Sequence, residues 1–89
     1  MANKYWQSEL WGEHQDDVYA MRTSPEEFLL TVRLREFGPH NRSMLTQVFH
    51  PSGAKHSEHV FDISDDSDEE AMQHGFAHGA WLAKGAKPR

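Results

Sequence analysis

Glu70, His74, His78 and Trp81 recur at steps of four, four and three residues. On an α-helix such steps stack side chains along one side. Two imidazoles one turn apart can share a metal ion, so His74 and His78 are the candidate ligands for zinc or nickel. His56 and His59 could add ligands from a neighbouring strand or loop. The helix itself supplies only two. Glu70 and His78 stand roughly 12 Å apart along the axis, whereas a zinc ligand sits about 2 Å from its ion. Gly75 follows His74, so the full His-Glu-x-x-His motif is absent. The seven histidines also suggest a pH response: protonating all of them adds seven charges and carries the formal net charge from -5 to +2.

Trp81 in the same stripe points to contact rather than chemistry, because an indole on a helix's polar side has no evident place in the core. Tryptophan is enriched among interface anchors. The bland alternative buries Trp81 against Trp6 or Trp11 of the N-terminal segment. A second candidate surface is the acidic run Asp62–Glu70, with Asp65, Asp66, Asp68 and Glu69 as its contact residues. A calcium reading of this run fails, since an EF-hand begun at Asp62 would need glycine sixth and glutamate twelfth. The chain has Ser67 and Gln73 there. What remains is a solvated helix cap or a docking patch for a basic partner.

Catalytic signatures are missing. No serine lies in a Gly-x-Ser-x-Gly elbow, and no glycine-rich phosphate loop occurs. The chain has no cysteine, which removes thiol nucleophiles and disulfides. No enzymatic activity is therefore expected, and no cofactor beyond the zinc or nickel just described. A net charge of -5 argues against direct nucleic-acid binding and against anionic membranes. Arg33 and Arg35 share the polar side of one strand, with Arg22 and Arg42 nearby. Without an aromatic pair for stacking bases, they read as exposed arginines that keep a sheet edge soluble.

Eighty-nine residues, 37% of them apolar, make one small domain with a thin core. Dimerisation would be one way to hide leftover apolar surface. No run approaches the roughly 20 apolar residues of a membrane span. Met1-Ala2-Asn3-Lys4 is not followed by an apolar signal core. A cytoplasmic protein is expected.

The elements that must position these groups follow from periodicity. An aromatic segment, 1–16, is ambiguous between helix and strand. Residues 18–23 suit a strand. Ser24-Pro25-Glu26-Glu27 resembles a helix start, but Phe28, Leu30, Val32 and Leu34 then alternate with polar residues. That period of two makes 27–36 a strand and 24–27 a turn. Residues 38–43 read as a loop, 44–50 as a strand, Pro51-Ser52-Gly53 as a tight turn and 59–63 as a strand.

Residues 66–84 form the closing helix, with a capping box between Ser67 and Glu70, and 85–89 a tail. Its core arc carries Ala71, Met72, Gly75, Phe76, Gly79, Leu82 and Ala83. Two helical glycines cost about 1 kcal/mol each against alanine. Gly75 and Gly79 therefore mark a packing seam, against the sheet or a partner helix. The expected architecture is α+β: a three- or four-stranded antiparallel meander over 18–63 with the helix across one face. The expected core is Phe28, Leu30, Val32, Leu34, Val48, Phe61, Ile63, Met72 and Phe76, with the faces of Leu45 and Phe49 undecided. The expected function is that of a protein-binding accessory factor, an inhibitor or regulator of a larger complex, whose size and acidity suit a phage or bacterial source. The alternatives are a histidine-based metal-binding or pH-responsive module, and an acidic inhibitor that imitates a phosphate backbone.

Overall fold

In the computed structural model, residues 17–85 are described. Four strands, β1 (Val18–Thr23), β2 (Leu29–Gly38), β3 (Asn41–Phe49) and β4 (Lys55–Asp62), precede one helix, α1 (Asp68–Gly85). The strands form an antiparallel sheet in the order β1-β2-β3-β4, and α1 packs across β2 and β3. The α+β fold read from periodicity is therefore the fold observed.

The strands run past their expected limits at three places, the first being β2, which ends at Gly38 rather than at 36. β3 begins at Asn41 rather than Met44, because the loop at 38–43 shrinks to Pro39 and His40 between the paired residues Gly38 and Asn41. Proline second and a positive φ third are the marks of a type II turn, and His40 supplies that φ at 58°. Polar Asn41, Arg42 and Ser43 look like loop by composition, yet they pair along β2. Likewise β4 begins at Lys55 rather than His59. Its first residues, Lys55-His56-Ser57-Glu58, are polar because among the described residues β4 is an edge strand, half-buried to exposed. Gly53 closes the preceding turn at φ 95°.

Ser24–Glu27 is a turn despite its helix-start composition. The Ser24 Oγ accepts the Phe28 N–H at 3.1 Å, and Glu27 adopts φ 70°, which a right-handed helix forbids. The serine caps the hairpin instead of a helix.

Register puts Leu30, Val32 and Leu34 opposite Val48, Thr46 and Met44 on the face beneath α1. With Phe28, Ile63, Ala71, Phe76 and Ala83 they make the core, and Ala20, Phe61, Met72, Ala80 and Leu82 pack around it half-buried. Gly75 is what lets the helix approach. A Cβ built there would lie 2.8 Å from Val32 Cγ2 and 2.9 Å from Met44 Sδ, so the backbone rests directly on the sheet. The packing partner of this glycine seam is the sheet.

Leu45 and Phe49 point to the opposite face and are buried as well. That face corrects the reading of the arginines. Arg33 is 3% exposed, and Arg35 forms a two-pronged ion pair with the buried Asp17, Nε to Oδ1 and Nη2 to Oδ2, each 2.7 Å. Arg33 Nε lies 3.7 Å from the same carboxylate. Period two separates faces but cannot say that a polar face is solvated. Arg22 lies on the other side of the sheet, over the Phe76 ring at 4.4 Å.

Candidate functional site

α1 owes its direction to its first turn. Ser67 N–H donates to Glu70 Oε1 at 3.2 Å, and Glu70 N–H donates to Ser67 Oγ at 3.1 Å, the reciprocal capping box. Arg42 fastens the same end to the sheet. Its Nη1 donates to the Asp66 carbonyl at 2.5 Å, and its Nη2 pairs with the Asp68 carboxylate. From there α1 runs back over β2 and β3. Its core arc lies down, and Glu70, Gln73, His74, Ala77, Trp81 and Lys84 lie exposed.

Because α1 sits over the two central strands, it flanks β4 instead of covering it. His59 and Phe61 of β4 pair with Thr46 and Met44, so they point to the same face as the helix. His74 and His78 meet them from the side. The His78 ring lies 4.9 Å from His59 and 5.0 Å from Phe61, nearly perpendicular to both. His74 lies 5.1 Å from Phe61. Trp81, one turn on, tilts toward His78 at 6.0 Å and is 69% exposed.

The row continues past the indole. His56, Trp81, Leu82, Lys84 and Gly85 line an open groove of about 540 Å³. His56 packs edge-on to the buried His50 at 5.3 Å and to Phe28 at 6.2 Å. One margin of the molecule thus carries His56, His59, Phe61, His74, His78 and Trp81 along α1 and β4, with the buried His50 and Phe28 behind His56.

Electrostatics sets this margin apart from the rest of an acidic chain. Burial, and then the neighbouring His59 and His74, hold the His78 imidazole below the ordinary histidine range. Among the described residues its buried Nε2 has no hydrogen-bond partner. The rings pack edge to face, and no group of three or more His, Asp or Glu side chains able to hold a metal ion occurs among the described residues.

The acidic run sits at the opposite end of α1, and much of it is engaged internally. The Asp62 carboxylate accepts Ser64 N–H and Oγ–H at 2.9 and 2.6 Å, and these bonds hold it below the usual carboxylate range. Asp68 pairs with Arg42, and Glu70 closes the cap. Asp65 and Glu69 face solvent, with Asp66 half-buried.

The expected contact residues therefore divide. Trp81, His74 and His78 come together with β4. Glu70 lies at the foot of that stripe. Asp65, Asp66, Asp68 and Glu69 form a separate end, and Trp6 and Trp11 lie outside the described residues. Sequence reasoning placed Leu82 only in the core and gave Lys84 no partner surface, whereas both line the groove. It missed the Asp17–Arg33–Arg35 cluster altogether. No local signal pairs residues 16 and 18 positions apart.

No helix among the described residues is long and apolar enough to cross a membrane. The chain matches no known family model, no curated protein and no solved structure.

Proposed function

We propose that this protein is a binding factor, an inhibitor or regulator that acts by occupying part of a larger protein partner, and that it makes the contact through the groove between α1 and β4. The observation that carries this reading is Trp81. Its indole is 69% exposed, and it stands beside a groove and a row of aromatic and imidazole rings. A large apolar side chain kept in water at the rim of a groove suits an anchor better than it suits the fold. The engaged carboxylates at the other end support the same choice, since Asp62, Asp68 and Glu70 already serve the turn and the cap.

The test is Trp81→Ala. Roughly a third of a side chain worth about 200 Å² is covered, so truncation costs the fold no more than about 1.5 kcal/mol. An anchor tryptophan contributes about 2 kcal/mol or more to binding, roughly a thirtyfold loss of affinity when removed. Peptides selected on the wild-type protein from a displayed random library should therefore lose affinity for Trp81→Ala while its thermal melt stays cooperative. A variant that no longer melts cooperatively places Trp81 in the fold rather than at a contact.

A further inference from the structure

We infer that the sheet face opposite α1 is a docking surface for the chain's own residues 1–16, whose aromatic side chains close it over the central strands. The burial of that face carries the argument. Thr31, Arg33, Leu45, Gln47 and Phe49 alternate with the residues beneath α1 and so point away from it. All five are at most 4% exposed. A sheet face reaches such burial only under another layer. The four strands are the sheet itself, and α1 packs on the other face. Among the described residues no element supplies the layer. The burial is that of a single chain, so neither a partner nor a second copy is its source.

The outline of the cover follows from where burial stops. Met21 of β1 and Val60 of β4 lie on the same face, opposite Thr31 and Leu45, yet they are 53% and 48% exposed. The covered strip is therefore β2 and β3, about 10 Å across, which is the width of one helix. Two segments lie outside the described residues, 1–16 and 86–89. Residues 86–89 leave the end of α1 and reach no more than about 14 Å. That is too short to round an edge strand and lie along the strip. Residues 1–16 arrive at the right place, since they lead into Asp17, whose buried carboxylate joins Arg33 and Arg35 on this face. They are long enough: sixteen residues span about 24 Å even when helical, and the five residues from Leu45 to Phe49 span about 17 Å. They also carry Tyr5, Trp6, Leu10 and Trp11, the large apolar side chains that a cover over Leu45 and Phe49 requires. The tryptophans then serve opposite sides. Trp6 and Trp11 close the fold, and Trp81, on the α1 side, stays open to a partner. This holds whatever fills the groove beside Trp81.

The experiment uses the full chain. Met21 borders the strip from β1, the strand farthest from β4. The chain has no cysteine, so Met21→Cys takes a single nitroxide label. The expected result is loss of the indole N–H resonance of Trp6, Trp11 or both, restored when the nitroxide is reduced, while the Trp81 resonance persists. Retention of both N-terminal resonances, or Overhauser contacts that join either indole to Trp81, would overturn the assignment. Acrylamide quenching of unlabelled Trp81→Phe gives an independent reading, because the chain has three tryptophans and only Trp6 and Trp11 then emit. They should be shielded in the folded protein relative to the same protein in urea. Equal quenching in the two states would overturn the assignment as well.

Discussion

Gly75→Ala adds one methyl group where α1 lies closest to the sheet. Two effects oppose each other. Alanine favours the helix by about 1 kcal/mol over glycine. Against this, an ideal Cβ would lie 2.8 Å from Val32 Cγ2, 2.9 Å from Met44 Sδ and 3.0 Å from Thr46 Oγ1. Carbon atoms normally pack at about 3.5–4.0 Å, so the new methyl is crowded on three sides at once. Met44 can swing its thioether aside. Val32 cannot easily yield, being β-branched, 1% exposed and in a central strand.

Overpacking of this kind costs about 1–3 kcal/mol. Taking the upper part of that range against the helix gain leaves Gly75→Ala less stable by about 1–2 kcal/mol. For a domain this small that lowers Tm by about 8 °C. Gly79→Ala is the internal control. Its nearest contact would be Leu30 Cδ2 at 3.4 Å, an ordinary distance. The helix gain is then retained, and this variant should be more stable by about 0.5–1 kcal/mol. Urea unfolding followed by far-ultraviolet circular dichroism reads both. Equal stability of the two variants, or a Gly75→Ala protein at least as stable as wild type, would refute the close approach of α1 to β2 and β3.

Two further perturbations address other parts of the molecule. Asp17→Ala removes the carboxylate that Arg35 and Arg33 share on the buried face. The expected cost is about 3 kcal/mol in urea unfolding, the low end for breaking a buried pair, because Arg33 also rests on the Tyr19 ring at 4.9 Å. A cost below about 1 kcal/mol would mean the pair contributes little. The second concerns pH. His78 has a folded pKa depressed by burial and by His59 and His74, so the folded state binds fewer protons than the unfolded one. Stability is complete above the unfolded value near 6.5 and declines as pH falls through it. Thermal melts should show a lower Tm at about pH 5.5 than at about pH 7.5, and His78→Leu should narrow that gap. An undiminished gap in the variant would assign the effect to other groups.

The readable parts of this fold are those where local rules decide the outcome. The α1 boundary was legible because Ser67 and Glu70 are three apart and satisfy each other. Its two sides were legible because 100° per residue sorts Gly75 and Phe76 from His74 and Trp81. β2 overrode a strong helix-start signal at Ser24 because Phe28, Leu30, Val32 and Leu34 could be buried together only in a strand. What stayed hidden depends on partners distant in sequence. The polar openings of β3 and β4 pair with strands regardless of composition. The burial of Arg33 depends on Asp17, and composition reads both as surface. The meeting of His78 with His59 needs the sheet order and the lateral position of α1, neither of which the helix carries. So the imidazole–indole stripe was visible, but the groove it borders was not.

The measurement closest to the proposed role is an amide and indole nuclear magnetic resonance titration of the full chain with a Trp81-dependent peptide. Binding in the groove should move the Trp81 indole N–H together with the amides of His56, Leu82 and Lys84, and leave Asp65 and Glu69 in place. Shifts gathered at residues 62–70, or across the face that carries Leu45 and Gln47, would contradict it.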